Sequence, residues 1–131
     1  MPNIKSLLEA KKLLFLAILY SCVISILFLF PNQDLPTMAF SGIDKIIHSL
    51  IHFVLINLWL FFLYFKIGPA LKIKWILILL LSVVLYGIII EILQDLFTVS
   101  READIFDVAA NFTGSLIGIF FFKSIKKYLN T

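Results

Sequence analysis

Four long apolar runs dominate this chain: Leu13 to Phe30, about Ile46 to Phe65, about Trp75 to Phe97 and about Phe106 to Phe122. A helix crossing a bilayer needs about 20 such residues, within a range of about 17–25. The runs do not alternate and lack hairpin turns, so strands do not compete with helices. In hydrocarbon the backbone must pair within its own segment, which again requires helices. Composition agrees: 62% of residues are hydrophobic and 15% charged, against roughly half and a quarter in soluble chains. A chain of 131 residues could not hide that much apolar surface from water. Disorder is excluded by the same figures, and two ordinary soluble domains by the length. The sequence therefore predicts an all-α integral membrane protein: a bundle of four transmembrane helices forming a single domain over residues 1–131.

The first run also resembles a secretion signal, because Lys5, Lys11 and Lys12 precede it. Its apolar core is long and no A-x-A-like site follows, so a retained span is expected. Leu19-Tyr20-Ser21-Cys22 is a poor lipoprotein box, and the apolar run continues after Cys22 to Phe30. One cysteine excludes an internal disulfide framework and a multi-cysteine zinc site. Cys22 has no base beside it in sequence and is expected to be an inert core residue.

Orientation follows from the cations. Lys5, Lys11, Lys12, Lys66, Lys72, Lys74, Lys123, Lys126 and Lys127 fall on one side of the four spans, leaving only Lys45 and Arg101 on the other. Seven of the eight acids lie in or beside the opposite connections. Both termini are expected in the cytoplasm and both acidic loops outside. The net charge of +3 then reflects topology anchors, not a nucleic-acid partner. Pro31 to Asp44 should form one outer loop and Thr98 to Ile105 the other, with Gly68-Pro69 in a short basic inner turn. Asp44 and Asp104 are placed to cap or neutralise helix N-termini.

Charges inside a bilayer are costly, so their presence implies function or internal pairing. Here they are grouped. Asp44, His48 and His52 share one face of the second span, with Lys45 beside them; Glu91, Gln94 and Asp95 share one face of the third. Asp104, Asp107 and Asn111 form a stripe on the fourth, preceded by Arg101. At about 1.5 Å per residue, His52, Glu91 and Asn111 lie about 10, 9 and 7 Å inside the outer ends of their spans. All three helices thus place polar groups in the same outer third, predicting an outward-facing polar pocket and no complete pathway across the membrane.

The strings Asp44-Lys45-Ile46-Ile47-His48, Glu91-Ile92-Leu93-Gln94, Arg101-Glu102-Ala103-Asp104 and Asp107-Val108-Ala109-Ala110-Asn111, followed by Gly114 and Gly118, resemble the VanZ-like family in order and internal spacing. The resemblance covers about residues 44–118 and departs at His52, where the family often carries an aromatic such as Tyr. It implies a small multi-pass bacterial membrane protein in a cell-envelope, teicoplanin-resistance context. It implies no reaction.

Several chemistries compete for these residues. His48, His52 and Glu91 are candidate metal ligands, but the H-E-x-x-H pattern is missing because Ser49 follows His48; a hydrogen-bonded histidine is favoured, and neither metal nor cofactor is expected. His48 and Glu91 are the candidates for proton transfer, with Asp104 or Asp107 as a second acid for Glu91. Asp44, Lys45, Gln94, Arg101, Asp104, Asp107 and Asn111 are the candidate ligand-binding set. A purely structural network is the competing reading, with Lys45 and Arg101 neutralising the acids. Covalent catalysis lacks a nucleophile beside a base. Ala110, Gly114 and Gly118 form a stripe for close helix packing, either within one chain or between copies. The expected function is binding or modifying a lipid-linked or envelope ligand among membrane lipids. The alternative is a scaffold for an envelope protein, with specificity in Pro31 to Ser41.

Overall fold

The computed structural model describes residues 4–30, 41–98 and 102–129. Four helices form there: α1 (Ile4–Leu29), α2 (Ser41–Ile67), α3 (Ile73–Phe97) and α4 (Ile105–Leu129). No strand occurs among the described residues. Each helix is long and apolar enough to cross a membrane, the architecture of a multi-pass membrane protein.

The helices extend beyond the apolar runs that predict them. α1 starts at Ile4 instead of Leu13, because Leu, Glu, Ala and Lys are strong helix formers and Glu9 pairs with Lys12 at 3.0 Å, one turn on. α4 continues past Phe122 to Leu129, with Lys126 and Lys127 in its last turn, where cations favour the helix dipole. α2 begins at Ser41 instead of Ile46, and carries Asp44 in its first turn and Lys66 in its last. Apolarity measures the path through hydrocarbon; the hydrogen-bonded helix continues into polar surroundings.

Gly68 ends α2 at φ +88°, a left-handed position where a side chain would be strained. Its N–H donates to Tyr64 O at 2.7 Å, satisfying one of the helix's last carbonyls. Lys126 Nζ donates to Pro69 O at 3.2 Å, tying the end of α4 to this turn.

α2 is the central helix, packed most extensively on α4 and α1, while α3 touches all three others. Gly114 explains the α2–α4 approach. A Cβ there would stand 1.9 Å from Ser49 O, and one at Gly118 would stand 2.4 Å from Ile56 Cγ2. Ala110 is half-buried on the same helix. The stripe therefore packs α4 onto α2 within one chain. Below it, Leu55, Ile56, Leu60, Tyr64, Ile119 and Phe122 form the heart of the core. The Phe122 ring meets Phe61 and Tyr64 edge-on at 5.3 and 6.0 Å.

Polar contacts fasten α1. Tyr20 Oη donates to Ile51 O at 3.1 Å, and Tyr86 Oη lies 2.7 Å from Ser25 Oγ. Gln94 Nε2 donates to Phe28 O at 3.0 Å, in the last turn of α1. Phe15, Leu81, Phe97, Phe106 and Phe120 face outward, as lipid contact requires. Cys22 also lies on an exposed face, not in the core as expected. An apolar run alone does not say which face of a helix meets its neighbours.

Candidate functional site

The end of the bundle opposite Gly68 brings together the N-termini of α2 and α4 and the C-termini of α1 and α3. Asp104 prepares that end. Its carboxylate accepts the N–H of Phe106 at 2.8 Å, and its carbonyl accepts the N–H of Asp107 at 3.0 Å. It is thus the N-cap expected from the sequence.

Lys45, one residue after Asp44 on α2, donates to Asp104 Oδ2 and to Asp107 Oδ1. Its Nζ is also 3.8 Å from Asp44 Oδ2. The Lys45 hydrogen bond, followed by the Phe106 N–H, holds the Asp104 carboxyl below its ordinary value. The sequence placed Lys45 in the ligand-binding set. In the fold its charge is satisfied by two acids, one from the α3–α4 connection and one from α4.

Beneath this pair sits His48, 2% exposed, with its ring stacked on Phe28 at 4.8 Å between centroids. His48 Nδ1 lies 3.2 Å from Asn111 Oδ1. An amide oxygen accepts, so this contact suits a hydrogen on Nδ1. Nε2 faces Asp44 Oδ1 at 3.8 Å and Asp107 Oδ2 at 3.7 Å. Glu91 Oε1 stands 3.7 Å from His48 Nδ1 and has no hydrogen-bond partner among the described residues. Its Oε2 accepts the N–H of Asp104 at 3.4 Å. Gln94 is buried but points to α1. Asp95 accepts the N–H of Ala103 at 3.3 Å, steadying the α3–α4 connection.

His52 lies one turn deeper. A Cβ on Gly87 would stand 3.0 Å from Asn111 Nδ2 and 3.1 Å from His52 Nε2. Neither ring nitrogen of His52 has a partner among the described residues. The carboxylates that could share an ion with a histidine gather around His48 instead: Asp44, His48 and Asp107 each offer an atom within 4.8 Å of the others.

The structure therefore brings together Asp44, Lys45, His48, Glu91, Asp104, Asp107 and Asn111, and turns Gln94 to a neighbouring helix. Arg101 lies outside the described residues, as do residues 31–40 of the expected specificity loop. Sequence reasoning missed Phe28, which lies in an apolar run with nothing to set it apart, and Gly87, whose signal was a lone glycine in an otherwise large-residue stretch. The cluster runs from an open rim to a closed floor: the Asp44 side chain is 47% exposed, whereas Glu91 and Asn111 are 3% exposed. Comparison with family models, with curated proteins and with solved structures finds no match to this chain.

Proposed function

We propose that this chain, related to the VanZ-like family, holds the head group of a lipid-linked or other cell-envelope ligand at the outer leaflet of a bacterial cytoplasmic membrane. The supporting observation is the convergence of ionisable groups from α2, α3 and α4 on one end of the bundle, with Asp44 at an accessible rim. Charged groups within spanning helices mark functional sites by default. The lysine-rich opposite end supports a cytoplasmic placement for the termini, since cations are retained on that side. Arg101 is the candidate anion contact, because Lys45 is already engaged by two carboxylates. His48 and Glu91, 3.7 Å apart, are the groups nearest at hand for proton transfer.

Asp44→Ala or Arg101→Ala in expressing bacteria should abolish any gain in teicoplanin tolerance while leaving membrane abundance unchanged. The second reading is a structural network within a scaffold, and the double engagement of Lys45 favours it. Under that reading the same variants lose abundance, and exchange of residues 31–41 abolishes capture of an envelope partner with the cluster intact.

A further inference from the structure

We propose that Asp44, His48 and Asp107 form a site for a divalent first-row transition-metal cation, a role the sequence alone did not assign. His48 Nδ1 is engaged by Asn111 Oδ1 at 3.2 Å. Its Nε2 faces two carboxylate oxygens, Asp44 Oδ1 at 3.8 Å and Asp107 Oδ2 at 3.7 Å. Two anionic oxygens gathered at one imidazole nitrogen favour a positive charge among them. The three donor atoms lie within 4.8 Å of one another, so a small closure of the half-exposed Asp44 side chain would let one cation with bonds of about 2.0–2.2 Å reach all three.

The surroundings support this assignment independently. Each carboxylate turns its other oxygen to Lys45, Asp107 in a direct bond and Asp44 at 3.8 Å, so the oxygens facing His48 are left for an ion. Asn111 orients the imidazole from behind, the usual role of a group behind a metal-binding histidine. The buried Glu91 Oε1, without a hydrogen-bond partner among the described residues, sits 3.7 Å from Nδ1 of the same ring, behind the proposed ion and outside its ligand set. Three carboxylates, those of Asp44, Asp104 and Asp107, lie around one described ammonium, that of Lys45, so the cluster favours added positive charge. One imidazole and two carboxylates suit Mn2+ or Zn2+ better than Mg2+ or Ca2+, which prefer all-oxygen shells. The half-exposed Asp44 leaves an open coordination position at the rim. There the cation offers an attachment for a phosphate-bearing head group. That use rests on the ligand-binding reading above; the cation site does not.

The test uses the full chain in detergent with Mn2+ alone, followed by electron paramagnetic resonance. One saturable Mn2+ per chain is expected, with a nitrogen hyperfine coupling from His48. Asp44→Asn, altered at the exposed rim, should weaken binding at least about tenfold, the scale of losses even for groups behind the ligands. His48→Asn should remove the nitrogen coupling. The site is overturned if the unaltered chain shows no saturable binding, if bound Mn2+ carries no nitrogen coupling, or if Asp44→Asn binds equally well. Because the coupling is read on the unaltered chain, the outcome does not depend on the folding of the His48 variant. Intact Mn2+ binding, combined with unchanged teicoplanin tolerance when Asp44 is replaced, would retain the cation site and remove the ligand reading.

Discussion

Lys45 neutralises two carboxylates that otherwise crowd one end of α4. Lys45→Met removes the described ammonium that bridges them. Breaking a fully buried pair costs about 3–5 kcal/mol, but the Lys45 side chain is 31% exposed and solvent screens part of the effect, so about 1–3 kcal/mol is expected. Adding Asp107→Asn should restore part of that loss, and thermal unfolding of the single and double variants reads the coupling. Asp104 adds a pH dependence. Its carboxyl is held below the ordinary 3.8 by Lys45, so its stabilising contribution is present above that value and is lost as pH falls through the lower folded value. Unfolding midpoints measured from about pH 5 to about pH 3 should therefore fall more steeply for the natural chain than for Asp104→Asn. An equal slope for the two would show that the pairing contributes nothing in solution.

At the scale of the helices, α4 reaches α2 so closely because two of its positions carry no side chain. Gly114→Ala would force a methyl group onto the Ser49 carbonyl, 1.9 Å away. Backbone cannot rotate aside as a side chain can, so the helices must separate; overpacking of this kind costs about 1–3 kcal/mol. Gly87→Ala meets only side-chain atoms of Asn111 and His52, at 3.0 and 3.1 Å, and should be milder. Resistance to detergent denaturation ranks the two, and equal losses would contradict the packing described. The stripe of small residues was legible in the sequence as a packing surface. Its partner was not, because spacing along one helix carries no information about which helix lies opposite.

For the whole molecule, basic residues gather at one end and the mixed-charge cluster at the other. If the lysine-rich end stays in the cytoplasm, Glu102→Cys in a Cys22→Ser background should react with a membrane-impermeant maleimide in intact cells. Lys72→Cys should react only after the membrane is opened. The reverse pattern would place the cluster on the cytoplasmic side and remove the outer-leaflet reading. Cys22 must be replaced first because it is exposed on α1.

Length and apolarity of the runs determined the number and type of the helices, because a lipid-embedded backbone has no other way to satisfy its hydrogen bonds. Spacing determined which polar residues share a helix face: Asp44 with His48 at four residues, and Asp107 with Asn111 at four. Helix ends were less legible, since hydropathy stops where water begins and α1 and α4 do not. Only the tertiary structure decided that Lys45 closes on Asp104 and Asp107, that Phe28 covers His48, and that the His48 ring turns one nitrogen to Asn111 and the other toward two carboxylates. Those pairings depend on how far each helix slides and rotates against the next. That choice is made by the fit of Gly114 and Gly118 against α2, a relation between segments more than fifty residues apart.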